Sequence, residues 1–438
     1  MPTFKVLAEH LETHEQKTFF VDNITLKISE TEFPYGGDQS LEFTGFSAKE
    51  GPFATVKIQM GLKCNFTCGY CSQAALPEEP QFNLRDLDTF IDKFLQIPLR
   101  ENARVQLWGG EPFVYWKYIK HIVERLHAVR PDLAFSTISN GSLLTAEHVD
   151  FFAKYRIQLS ISHDGPGQAV RGPDPLDTNI EAIRYCIEKL NPIGLFCGFN
   201  SMLSVENPSR LAVIEFFNAK FPDLFINSGE MGFLKTTGAE NYSFIEMSPQ
   251  EHFELRRNLW AEMRFHSAVY KHCPVQAMYV TAPQSGQKSL GMKCGMDKAA
   301  TIAIDLNGNI LTCHNLNASS VGYDGNSRVH GNLFVDEPHD FGGVTHWSQR
   351  SDCPTCPVLN TCKGSCMLQE GKEWDLTCEI EYTDKIAMFA IGFEQVTGYV
   401  PIKIDDETLP LNRQDIWGTL QDWSVAAPKK TISIKEIK

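Results

Sequence analysis

Six strand-like runs, each answered by a helical stretch, follow one another from about residue 54, and this alternation limits the fold more than any other feature. The strand-like runs are "ATVKIQM", "RVQLW", "AFSTIS", "IQLSIS", "GLFCGFNSML" and "DLFINS". Between them, "NLRDLDTFIDKFL" puts Leu87, Phe90, Ile91 and Phe94 on one helical face, with Asn83 suited to cap its start. "YIKHIVERLHAV", "TAEHVDFFAKY", "NIEAIRYCIEKL" and "SRLAVIEFFNAKF" repeat the pattern, and "SPQEHFELRRNLWAEMRFHSAVY" reads as one longer closing helix. Strands that alternate with helices build a parallel sheet covered by helices, either doubly wound or a barrel.

The flanks differ in texture. Residues 1–50 read as a small N-terminal β-containing element, in which Ile24, Leu26 and Ile28 alternate with polar residues as in a half-buried strand. Residues 51–273 carry the strand–helix alternation. Over 274–390 cysteine and glycine become dense and helical periodicity fades until about Glu379. Residues 391–438 form a tail rich in Lys, Asp and Pro.

The formal charge of -14 argues against nucleic acid or an anionic membrane surface as the main partner. No apolar stretch is long enough to span a bilayer, and the N-terminus shows no signal peptide, so a cytoplasmic location is expected. Thiols stay reduced there, and thirteen cysteines then point to metal rather than disulfides.

The cysteines gather in two places. "KCNFTCGYC" holds Cys64, Cys68 and Cys71 at C-x3-C-x2-C. A structural zinc site or an ordinary four-iron cluster takes four ligands, so three thiols leave one metal position open to chemistry. The triad follows the first strand; "WGGEP" follows the second, "SNGS" the third and "SHDGP" the fourth. All four turns fall at C-terminal strand ends, the edge where parallel sheets place ligands. The second group runs from Cys294 through Gly308 to Cys313, then Cys353, Cys356, Cys362 and Cys366 at C-x2-C-x5-C-x3-C, and Cys378. Such pairs can also make a zinc ribbon. Cys186, within a helix, and Cys197, within a strand, read as buried core thiols.

With this triad at this position, the chain resembles the radical S-adenosylmethionine enzymes over roughly residues 54–265, and the seven later cysteines resemble their SPASM extension. The resemblance implies a partial (βα)6 TIM-like barrel with a cysteine-rich extension. It implies three four-iron, four-sulfur clusters. Cys64, Cys68 and Cys71 would hold the one whose open iron takes S-adenosyl-L-methionine, and the radical made from that cofactor would remove hydrogen from an unactivated C–H. Cys353, Cys356, Cys362 and Cys378 would hold a distal auxiliary cluster, and Cys294, Cys313 and Cys366 the nearer one. No cysteine lies shortly before Cys294, so the fourth position is taken by Cys273 or is open to a substrate group or another ligand.

By the same resemblance Gly109, Gly110, Glu111 and Pro112 form the turn beside the methionine amino group, and Tyr70 lies near the adenine. Ser162 sits where relatives hold the carboxylate or ribose, Arg171 is a candidate carboxylate partner, and Asn140 and Ser160 are further cofactor contacts. Enzymes of this kind mostly modify ribosomally made precursor peptides and draw electrons from a flavodoxin or ferredoxin. The sulfatase-maturing group carries an aspartate base where this chain has His314, which makes His314 the candidate catalytic base. The expected function is a peptide maturase. The alternatives are a sulfatase maturase and a non-catalytic zinc-stabilised peptide-binding scaffold.

Overall fold

The computed structural model describes residues 3–23, 25–33, 49–74, 76, 86–235, 242–272, 290, 292–335, 344–407 and 409–417. Near the N-terminus lie Thr3–Glu9 (β1), Gln16–Asp22 (β2) and Ile28–Ser29 (β3). The alternating region supplies Phe53–Gln59 (β4), Leu99–Trp108 (β5), Ala134–Ser139 (β6), Gln158–Ser162 (β7), Cys197–Leu203 (β8) and Asn227–Phe233 (β9). Beyond it come Thr301–Asp305 (β10), Asn309–Leu311 (β11), Val329–Asn332 (β12) and Val400–Asp405 (β13).

β4 to β9 pair in sequence order, all parallel, as the alternation demands. The sheet order is β12-β11-β10-β4-β5-β6-β7-β8-β9, and among the described residues no pairing closes it into a full barrel. β10 therefore extends the same sheet, parallel to β4, while β11 and β12 add antiparallel. The Asn307-Gly308 turn makes the β10–β11 hairpin, with Gly308 at φ 82 and the Asp305 carboxylate accepting from the backbone N–H of Asn307 and Asn309.

Alternation within the strands sorts the two faces. Val56, Ile58, Val105, Leu107, Phe135, Leu159, Ile161 and Phe199 are buried beneath the helices, each contributing ~1.5–3 kcal/mol by burial. Lys57, Gln106 and Ser136 stand in register on the other face, as do Gln59 and Trp108, and Ser162 and Asn200. That face is polar, so it lines a site rather than a core.

Several sequence expectations are corrected. The run from Ile24 to Ile28 is not one strand: Leu26 has φ 57 in a turn closed by its N–H to the Asp22 carbonyl, and only Ile28–Ser29 pair. Ile24 and Asn83 lie outside the described residues; the described helix starts at Leu87. The closing helix breaks at extended His266 into Pro249–Phe265 and Ser267–His272. The sixth strand begins later than "DLFINS", at Asn227. Helical structure returns earlier than Glu379: a helix runs from Gly371 to Thr397.

That helix is enclosed on several sides, which removes the one-sided pattern by which a helix is read. Phe389 and Phe393 meet Phe4 and Phe19 of the N-terminal strands, at centroid distances of 6.0 and 5.3 Å. Across from them Thr383 bonds His252 at 2.8 Å. The terminal segments also share a sheet, in the order β13-β1-β2-β3, so the supposed tail closes on the N-terminal element.

Candidate active site

The loop after β4 carries Cys64, Cys68 and Cys71, and the turn after β5 holds it in place. Gly110 donates its N–H to the Gly61 carbonyl and Glu111 to the Lys63 carbonyl, both at 2.9 Å. A β-carbon on Gly109 would lie 2.5 Å from the Gly61 oxygen, and one on Gly110 2.4 Å from the Leu62 oxygen. The double glycine is thus required first by backbone packing against the cysteine loop. Tyr115 adds its hydroxyl, accepting from the Lys63 N–H at 2.7 Å. Cys64 is exposed, and Cys68 and Cys71 are half-buried.

Glu111 is almost fully buried. Its carboxylate accepts from Asn140 N–H (2.7 Å), the Ser139 hydroxyl (2.8 Å) and Phe113 N–H (3.0 Å). Burial still pushes its pKa up against these donors. Glu111 therefore ties the β5 turn to the end of β6. Asn140 in turn donates to the Asn65 side chain at 2.9 Å, reaching back to the cysteine loop.

On the opposite side of that loop, Arg171 donates to the Tyr70 hydroxyl at 2.7 Å, and the same hydroxyl meets the Asp164 carboxylate. Asp164 is held by the Met202 N–H (2.9 Å) and lies 3.7 Å from the guanidinium. Burial opposes the charge on Arg171, yet Tyr70, Asp164 and Cys68 outweigh it and raise its pKa. The Arg171 side chain is 12% exposed and its Nε has no partner among the described residues. A buried cation with a spare donor beside a thiol triad fits a carboxylate-bearing cofactor. Ser160 and Ser162 lie half-buried on the same polar face, in register with Gly198 and Asn200.

The later cysteines form two groups. Cys294, Cys313 and Cys366 pack on one apolar cluster with Met296, Met367 and Leu368. Cys353, Cys356, Cys362 and Cys378 line a single pocket. Burial pushes the Cys313 and Cys353 thiols up to about 12 and Cys378 to about 11. Such thiols ionise only when a metal replaces their protons. Among the described residues no three His, Cys, Asp or Glu side chains are grouped to hold one metal ion. Four thiols that line one pocket make it a candidate metal centre. Cys273 lies outside the described residues. Cys186 and Cys197 are buried core thiols, 3.1 Å apart.

His314 follows Cys313 into the polar face of the sheet. Its ring lies edge-on to Trp108 at 4.4 Å, and Lys57 reaches its Nδ1 at 3.3 Å. An ammonium only donates, so Nδ1 accepts and the ring proton sits on Nε2. Burial, then Lys57, pushes the imidazole down to about 3, which keeps it neutral. Gln59 donates to the His314 carbonyl at 3.3 Å, stitching the extension to β4. Sequence reasoning missed Lys57, Gln59 and Asp164. The two β4 residues were signalled by their alternation with Val56 and Ile58, whereas Asp164 stood in a quoted turn without an assigned role.

Residues 58–217 match the family model described as the Radical SAM superfamily. The chain is 21% identical over 357 residues to the radical SAM cyclopropyl synthase TigE of Paramaledivibacter caminithermalis, covering 75% of this chain and 70% of that protein. A shorter match to the GTP 3',8-cyclase of Xanthomonas campestris pv. campestris is 27% identical over 122 residues, 26% of this chain and 34% of that one. Native anSMEcpe, solved with bound AdoMet and Cp18Cys peptide, shares the fold at a TM-score of 0.55 and 14% identity, covering 78% of this chain and 99% of that chain. Residues 58–217 therefore carry a radical SAM domain, the chain is an enzyme, and S-adenosylmethionine and an iron–sulfur cluster are the cofactors that such a domain supports. No helix among the described residues is long and apolar enough to cross a membrane.

Proposed function

We propose that the chain is a peptide maturase whose extension, of SPASM type, holds two auxiliary clusters. Cys64, Cys68 and Cys71 hold the cofactor-binding cluster, Cys294, Cys313 and Cys366 the nearer auxiliary one, and Cys353, Cys356, Cys362 and Cys378 the distal one. The observation that carries this reading is the seat of His314: a residue of the extension lies between Lys57 and Trp108 on the sheet's polar face. Barrel and extension then build one site. With its cofactors bound, such a site supplies a 5'-deoxyadenosyl radical that takes hydrogen from an unactivated C–H. Arg171 orients the cofactor carboxylate, and the double-glycine turn positions the cysteine loop. His314, whose Nδ1 is engaged by Lys57 and whose pKa is pushed down to about 3, offers Nε2–H as a donor to the substrate in place of the base role expected from the sequence. The substrate is a ribosomally made peptide, and electrons come from a flavodoxin or ferredoxin. Support for a peptide comes from the fold shared with anSMEcpe, which was solved with one.

The test is anaerobic reconstitution, iron and sulfide analysis, and incubation with S-adenosylmethionine, reductant and short peptides encoded in neighbouring reading frames. Iron approaching about twelve per chain, with peptide-dependent 5'-deoxyadenosine and a mass change in the peptide, is expected. Stoichiometric zinc without acid-labile sulfide means the scaffold alternative. Formylglycine made from a sulfatase-derived Ser or Cys peptide means the sulfatase one.

A further inference from the structure

The pocket ringed by Cys353, Cys356, Cys362 and Cys378 is also lined by Arg413, which arrives from the far end of the chain. β13 and the segment after it carry it there: Trp417 donates its indole N–H to the Pro401 carbonyl at 2.7 Å, and Tyr382 donates its hydroxyl to the Arg413 carbonyl at 2.8 Å. The Arg413 side chain is 4% exposed. Its Nη2 donates to the Cys378 sulfur at 3.2 Å and to Glu379 at 2.6 Å, and its guanidinium lies 4.9 Å from the Tyr382 ring centre. Its Nε has no partner among the described residues. Arg350, also near this region, is spent differently, on the carbonyls of Cys366 and Gln369.

A buried guanidinium is costly unless its charge and donors are matched. Glu379 matches it at one nitrogen only. Cluster sulfur supplies what is lacking, namely acceptors and negative charge. Reducing a thiolate-bound cluster adds negative charge, and hydrogen bonds to its sulfurs together with a nearby cation favour that reduced form.

We propose that Arg413 sets the reduction potential of the distal cluster by donating to the Cys378 sulfur, raising it so that this cluster is a sink for the electron left on the substrate. Glu379 holds the guanidinium and moderates its effect. The couple is one electron: the oxidised cluster gains it, the substrate-derived radical loses it, and no bond to Arg413 forms or breaks. The proposal rests on the reading that these four cysteines hold a cluster.

The experiment is a redox titration followed by electron paramagnetic resonance on the anaerobically reconstituted full chain, with iron and sulfide counted for each variant. Arg413→Gln is expected to lower the reduced-to-oxidised ratio of one cluster at least tenfold at a set poise, a shift of about 59 mV for one electron. Arg413→Lys should fall between this and wild type. Glu379→Gln should shift the same cluster upward, a reversal of sign that loosened packing does not produce. The other two clusters should titrate as in wild type. Unchanged distal potentials in Arg413→Lys and Glu379→Gln, at full iron content, overturn the proposal even if Arg413→Gln loses its cluster. If wild type itself holds no cluster on these cysteines, its iron count reports that the underlying reading has failed, and the proposal falls with it.

Discussion

The two best-defined cysteine groups are built in opposite ways. Cys64, Cys68 and Cys71 lie in one loop, with Cys64 exposed and the other two half-buried. Backbone contacts to a glycine turn hold that loop and leave its outer side accessible. Cys353, Cys356 and Cys362 are buried, and Cys378 joins them from a helix. Both ends of the chain close over that pocket: Asn23 donates to the Cys356 carbonyl and Arg413 to the Cys378 sulfur. The first arrangement leaves a side open, as the proposed exchange of cofactor requires. The second is enclosed, so that a cluster held there would be kept from ligands and water.

The largest expected effect breaks the open site. Changing Cys64, Cys68 and Cys71 together to Ala should abolish 5'-deoxyadenosine formation while iron falls by only about four of about twelve per chain. Undiminished cleavage by that variant would remove the open site from the comparison.

Next comes the attachment of the enclosed side. Asp384, on the helix that supplies Cys378, meets Arg210 at 2.8 Å, with the two side chains 1–2% exposed. Asp384→Asn leaves buried cations underpaired and should cost ~3–5 kcal/mol, read as a fall in melting temperature. A melt within error of wild type would mean that this ion pair does not clamp helix to barrel.

A smaller effect is expected at the glycine turn. Gly110→Ala brings a β-carbon 2.4 and 2.5 Å from the Leu62 and Lys63 oxygens, so the cysteine loop must move. The strain should be ~1–3 kcal/mol, with cofactor cleavage impaired and the extension's spectra unchanged. If those spectra change as well, the two sites are coupled more tightly than the contrast implies.

The smallest concerns Tyr70→Phe, which keeps the ring and removes the hydroxyl between Asp164 and Arg171. About 1.5 kcal/mol is at stake, so KM for S-adenosylmethionine should rise roughly tenfold with kcat largely kept. An unchanged KM would show that Asp164 alone holds Arg171.

Much of the site was legible because its parts are local. The triad, the "WGGEP" turn and the "SHDGP" turn each sit within a few residues of a strand end. Glu111 was read as a cofactor contact, but its three donors come from Phe113, Ser139 and Asn140, which only the packed sheet brings together. Arg413 gave no signal, standing in a segment read as a tail.

The sequence by itself determined the strand–helix order, the placing of the turns at one sheet edge and the cysteine spacings, since periodicity and turn chemistry act over a few residues. Tertiary structure alone decided that β10 joins the sheet beside β4, that β13 pairs with β1, and that His314 lies against Lys57 and Trp108. It also decided that Asn23 and Arg413 close the distal pocket. These contacts link residues far apart in the chain, and their worth comes from burying charge and apolar surface that no short window of sequence contains.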